Sequence, residues 1–183
     1  MSFRLPTVFS LMLSLMLTLS VGTVSAQSRG QLEAESTSAL RQLLDTVELA
    51  RTVHEKAIAV LVFPEVTKAG LLVGGQYGEG VLFKKGVVDG FYSTAGVSFG
   101  MQAGAQRYGY ALFFMDEAAL AALSKNDGFE VGVGPSVVVL DQGAARNIST
   151  TTMNNEIYAF VFGQKGLMAG VGVQGNKITR LQH

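Results

Sequence analysis

The sequence contains no cysteine, no tryptophan and only two histidines. The absence of cysteine excludes disulfide bonds, thiolate zinc sites, a cysteine nucleophile and a lipid-modified N-terminal cysteine. His54 falls in a predicted helix and His183 ends the chain, a pattern typical of neither a metal site nor a catalytic triad. No GxSxG, HExxH or Walker motif is present. We therefore expect no enzymatic activity, no metal and no cofactor.

Charge of one sign is also lacking. The 183 residues include 14 basic and 14 acidic side chains, so the formal net charge is zero. A nucleic-acid-binding domain normally carries a basic excess, and none is present, so we expect no nucleic-acid partner. The hydrophobic content of 48% against 15% charged residues indicates one folded domain with a sizeable core.

Residues 1–26 have the organisation of a secretory signal peptide. Arg4 gives a short positive region, residues 8–21 are apolar, and Val24-Ser25-Ala26 is a small-residue cleavage site. The alternative is an uncleaved anchor, but the apolar run is shorter than the ~20 residues that span a bilayer. We expect cleavage near Ala26, and a single domain at 27–183 that is periplasmic or secreted.

Two helices are predicted. Between residues 31 and 56, apolar side chains recur at spacings of three and four, which indicates an amphipathic helix with Ser28 at its N-cap. Its polar face has mixed charge, with Arg41 and Asp45, and Arg51 and Glu55, spaced for pairing. This favours packing on the protein core over insertion into lipid. Asp116 caps a second, short helix over residues 117–125.

The remaining pattern predicts closely spaced strands. Pro64 ends an apolar strand, residues 64–69 form a turn or short helical loop, and Lys84-Lys85-Gly86 and Asp89-Gly90 are hairpin signals. The predicted strands are 57–63, 69–83, 91–106, 109–115, 129–140, 156–163, 167–174 and a last strand ending at 181, with a polar loop at 141–155 and a turn at 164–166. We expect an α+β fold, built on a strongly curved, mainly antiparallel sheet or partly closed barrel, with an N-terminal amphipathic helix and one short internal helix.

Glycine recurs at alternate positions of the predicted strands, as in Gly74, Gly78 and Gly80. A strand face without side chains indicates strong curvature, close approach of another part of the protein, or a slot for a ligand. Glu79 lies on the opposite face beside Tyr77. It is predicted to form a structural ion pair with Lys68, Lys84 or Lys85, or else to contact a ligand.

Three blocks of sequence resemble the SYLF domain family. They are AIAVLVFPEVTKAGLLVGGQYGEGVLF at 57–83, FYSTAGVSFGMQAGAQ at 91–106, and FGQKGLMAGVGVQGNKITRL at 162–181. The family includes lipid-binding modules of eukaryotic endocytic and actin-regulating proteins, and stand-alone exported bacterial domains. The resemblance implies a lipid-binding protein without catalysis.

The expected partner is an anionic phospholipid or a membrane surface. On the family motif, Lys68 matches a position in VTKAG and is the first headgroup candidate, while Glu79 matches a position in YGEG. Charge alone adds Lys84, Lys85 and Arg107. Actin binding, known for eukaryotic relatives, is not expected for a protein exported to a bacterial envelope.

Three other interpretations remain open. An integral outer-membrane β-barrel agrees with the length and the short hairpin-linked strands, although several apolar runs do not alternate with polar residues. An envelope protein-interaction or structural module is the second. The third is a hydrolase that uses Asp116, Glu117 or Glu79, for which no paired acid and base can be located.

Overall fold

A computed structural model of the chain describes residues 28–124, 128–140, 154–166 and 175–182. It confirms the α+β class and a curled, mainly antiparallel sheet. The helices are α1 (Arg29–Thr46), α2 (Glu48–Lys56) and α3 (Glu117–Ala121); the strands are β1 (Ala59–Lys84), β2 (Val87–Phe114), β3 (Phe129–Glu130), β4 (Val137–Leu140), β5 (Ile157–Gly166) and β6 (Lys177–Arg180). The predicted signal peptide, the strand at 167–174, most of the loop at 141–155, the end of the short helix at 125 and His183 lie outside the described residues.

The single N-terminal helix predicted for residues 31–56 is two helices. The chain leaves the helical conformation at Val47, with φ −123° and ψ 101°. Arg51 stabilises this break, because its guanidinium donates from Nε and Nη2 to the carbonyl oxygen of Leu44 at 3.2 and 3.1 Å. Arg51 therefore caps the end of α1 instead of pairing with Glu55. The predicted N-cap is confirmed, since Ser28 Oγ accepts from the Gln31 backbone N–H at 3.2 Å.

Strands β1 and β2 form one long hairpin, where several shorter strands were predicted. Pro64 does not end β1 but lies where the ladder is interrupted between Phe63 and Val66, a bulge at which its missing N–H breaks no ladder bond. The Lys85-Gly86 turn is confirmed, with φ of 53° and 77° as a tight hairpin turn requires. The Asp89-Gly90 signal was wrong, because both residues lie inside β2.

The sheet is organised around β2. It pairs with β1 along nearly its whole length, with β6 through residues 92–95 and with β5 through residues 106–114. Strand β3 extends the β6 side, and β4 runs parallel to β5. Two predictions are corrected here: residues 129–140 hold two short strands separated by turns, and the turn predicted at 164–166 is part of β5.

The long hairpin is folded back on itself. Its register shifts between Leu71 and Val73, and beyond that point β1 returns over its own first half. A Cβ atom at Gly78 would lie 2.6 Å from the Glu65 carbonyl oxygen, and one at Gly80 would overlap the carbonyl oxygen of Val62. Real Cβ atoms do not approach other atoms so closely, so these glycines pack against protein and do not face a ligand slot.

Folding back produces three layers and two hydrophobic cores. The inner core lies between the two halves of the hairpin and includes Leu61, Phe63, Leu82, Tyr92, Leu112, Phe129, Ile157 and Ile178. The outer core lies between the first half of the hairpin and the helices. It contains Leu43, Leu49 and Val53 from the helices, packed on Val62 and Phe113 of the sheet. The helices therefore cover the face of the sheet that the fold-back leaves open.

Glycine substitutions test this close approach. Replacing Gly80 by alanine places a methyl group against the Val62 carbonyl and the Phe63 ring, so we expect a loss of about 1–3 kcal/mol in the free energy of unfolding. Gly75 is the matched control, because a Cβ there has nothing within 4 Å, and Gly75→Ala should change stability by less than about 0.5 kcal/mol. Urea denaturation of both variants measures the difference. Equal losses would contradict the packing described.

Candidate functional site

The predicted cationic residues are spread over the molecule. Lys84 Nζ lies 3.4 Å from Glu117 Oε2, and Arg107 Nε lies 3.7 Å from Glu65 Oε1, both near solvent. Lys85 is exposed in the hairpin turn. Lys68 is buried, with 7% of its surface exposed.

Glu79 lies beside Tyr77, as the alternation predicted. Its partner is the Tyr77 hydroxyl, which donates to Glu79 Oε1 at 2.8 Å, rather than one of the three lysines considered. Burial, followed by the hydrogen bond and the charge of Glu79, raises the pKa of Tyr77 to about 12. The observed contact of Glu79 is therefore with another side chain of the protein.

A groove of about 500 Å³ lies between the helices and the two ends of β1. Its apolar wall comes from α1, from the start of β1 and from the end of β1 just before the turn. The apolar lining residues are Leu40, Leu44, Ala57, Ile58, Ala59, Val60 and Phe83. Ile58 and Phe83 lie far apart in sequence and line the same groove because the strand is folded back.

The polar lining of the groove has more positive than negative charge. Arg41 of α1 and Lys85 of the turn are exposed cations, and Asp45 is the acidic residue among the lining residues. His54 also lines the groove, with its ring edge-on to Phe113 at 6.1 Å. An apolar wall beside two cations complements a molecule with a hydrocarbon chain and an anionic end.

Only Lys85 of this groove was among the predicted site residues. Arg41 was missed because the charged face of α1 looks like an ordinary solvated face when the sequence is read alone. Arg41 lines a groove only because the end of β1 returns beneath α1. One signal in the sequence could have indicated the role of Arg41. The two lysines Lys84 and Lys85 stand at a predicted turn, and a turn lies close to the end of a helix or strand.

Polar side chains also lie buried between the two halves of the hairpin. Tyr108 donates to Gln76 Oε1 at 2.6 Å, Gln76 Nε2 donates to Asn176 Oδ1, and Tyr110 donates to Thr94 Oγ1 at 2.6 Å. Burial raises the pKa of Tyr108 to about 12 and raises the pKa of Tyr110 further. These bonds join β1, β2 and the residue just before β6, and no local sequence pattern predicted that these segments meet.

The comparison with known families agrees with this architecture. Residues 95–183 match the family model named Ysc84, described as a Las17-binding protein actin regulator. The matched part begins within β2 and includes β3 to β6. Residues 95–183 therefore match a SYLF-type domain. This match confirms the resemblance drawn from the sequence. No curated protein matches the chain.

The matched part of the SYLF domain contains Tyr108, Tyr110 and Asn176, whereas the groove is lined by residues 37–86, before it. Of the helices described, none is long and apolar enough to cross a membrane. Within the same described ranges, no group of three or more histidine and acidic side chains is placed to hold a metal ion.

The raised tyrosine pKa values predict a loss of stability in alkali. Tyr108 holds its proton more tightly in the folded chain, with a pKa of about 12, than in the unfolded chain, where it is about 10. This contribution is complete below pH of about 10 and is lost as the pH rises towards about 12. We expect the free energy of unfolding to fall across that window, and to fall less steeply in Tyr108→Phe. Denaturant titrations at several pH values measure both slopes, and identical slopes would contradict the assignment.

Proposed function

We propose that this domain binds anionic phospholipids at a membrane surface, without catalysis, by placing an acyl chain in the groove beneath α1. The groove itself carries the proposal, because it combines an apolar wall with two exposed cations, Arg41 and Lys85. The family supports a SYLF-type module in general, and the lipid is our extension from the geometry.

The two parts of the groove contribute differently. Burial of a hydrocarbon chain against Leu40, Leu44 and Phe83 is favourable by about 25 cal/mol per Å² of apolar surface removed from water. Each basic side chain near an anionic surface adds about 1 kcal/mol, and this part weakens as salt rises. Binding should therefore require anionic lipid and decrease, without disappearing, at high salt.

The cellular location forms part of the proposal. The predicted leader at residues 1–26 supports an exported bacterial domain that acts in the periplasm or outside the cell. The family description refers to Las17 and actin. Neither is the partner proposed here, because an exported chain meets envelope lipids instead.

Mass spectrometry of the exported fraction tests the location. We expect the intact mass of a chain that begins at Gln27, and a full-length product in the cytoplasm would contradict this.

Flotation with lipid vesicles tests the groove. Arg41→Glu combined with Lys85→Glu should reduce binding to vesicles of phosphatidylglycerol and phosphatidylcholine by about tenfold or more, because both cations are reversed. The matched control is Lys56→Glu with Lys165→Glu, which makes the same charge change at exposed positions outside the groove lining. The control should bind nearly as well as the unaltered protein at low salt.

A second variant tests the acyl chain separately from charge. Thr37 is an exposed residue of α1 that lines the groove, so Thr37→Trp fills it while leaving both cations in place. We expect this variant to lose the binding that survives high salt. If the charge-reversed groove variant floats like its control, or if Thr37→Trp changes nothing, lipid binding through this groove is refuted and a protein partner becomes the better hypothesis.

A further inference from the structure

One side chain of the groove beneath α1 belongs to the residue type that changes charge near neutral pH. His54 of α2 lines the groove and is exposed to solvent. Histidine is the side chain whose charge normally changes between about pH 5 and 8. The sequence contains one other histidine, His183, at the end of the chain. Substitution of each histidine in turn therefore separates the contribution of the groove from that of the rest of the chain.

The contact between the two helices places His54 beside the charged part of α1. Arg51 donates to the carbonyl oxygen of Leu44, which holds α2 against the end of α1. His54 follows Arg51 by three residues, so both side chains project from the same side of α2. Asp45 follows Leu44 directly, Arg41 lies one helical turn earlier, and both line the groove with His54. The imidazole and the charged groups of α1 therefore share one wall.

The imidazole ring is packed on one side and has no polar partner in the described part of the chain. It lies perpendicular to the buried ring of Phe113, with 6.1 Å between the ring centroids. Among the described residues, the His54 side chain makes no hydrogen bond and no ion pair. Both ring nitrogens are donors when the imidazole is protonated. The protonated ring can therefore donate to an anionic oxygen that enters the groove.

The charge of the groove depends strongly on this one proton. The other charged side chains in its lining are Arg41 and Asp45 from α1 and Lys85 from the hairpin turn. By formal charge, the lining is singly positive when His54 is neutral and doubly positive when His54 is protonated. The charged neighbours of His54 on α2 that lie outside the lining are Arg51, Glu55 and Lys56. Protonation of His54 therefore doubles the positive charge that faces an anionic headgroup.

We propose that His54 is a third headgroup contact of the groove, and that its protonation strengthens the binding of anionic lipid in acid. This inference rests on the proposed function. An anion bound beside the ring stabilises the imidazolium form, so lipid binding takes up a proton. Affinity should therefore increase as the pH falls from about 7.5 to about 5.5. The phosphodiester group of phosphatidylglycerol keeps its single charge over this range, so the change is assigned to the protein.

Flotation with vesicles of phosphatidylglycerol and phosphatidylcholine, at about pH 5.5 and about pH 7.5, tests the assignment. We expect the protein to bind about fivefold more tightly at the lower pH, as one added basic charge near an anionic surface predicts. High salt should remove this gain, because the gain is electrostatic. His54→Gln should lose most of the gain. His183→Gln is the matched control and should keep it.

A second variant keeps the test decisive if His54→Gln does not fold. His54→Arg carries a permanent charge at the same position, so at the higher pH it should bind as tightly as the unaltered protein does at the lower pH. Equal pH dependence in His54→Gln and His183→Gln would overturn the role of His54, and so would a gain that survives high salt. Those results leave the groove itself in place. If the unaltered protein floats at neither pH, the proposed function is refuted and this inference with it.

Discussion

The structure depends on one close approach, the return of β1 over its own first half. Gly78 and Gly80 permit it, because any side chain there would overlap the backbone of residues 62–66. Glycine normally weakens the interior of a β-strand. The two glycines here therefore lower the local strand propensity, but they allow the two layers to come into contact. The inner hydrophobic core exists only because the two layers meet.

The buried hydrogen bonds follow from the same contact. Gln76 lies in the returning half of β1 and meets Tyr108 of the first layer, and Thr94 meets Tyr110 in the same way. Each bond joins the two layers, so each is satisfied in one register only. A slip by one residue would leave buried hydroxyl and amide groups unpaired, at about 1–3 kcal/mol each. The apolar core therefore drives the halves together, and the polar groups select how they meet.

Local signals in the sequence were sufficient for the fold class, the Ser28 and Asp116 caps, and the Lys85-Gly86 turn. These features depend on a few adjacent residues. The continuation of β1 through Pro64 was not predictable locally, because a bulge that tolerates proline is defined by the partner strand. Nor was the groove, since no pattern within α1 indicates that Arg41 lies near Lys85. Features that depend on contacts between distant segments of the chain were not predicted. Most of these contacts result from the fold-back of β1.

The fold-back also explains how the groove is formed. By returning, β1 brings its two ends together beneath α1, where an apolar groove with exposed cations results. The groove is wide, apolar at its wall and charged at its rim, which suits an amphiphile. A single bend in the hairpin thus brings residues from the two ends of β1 into the lining of one groove.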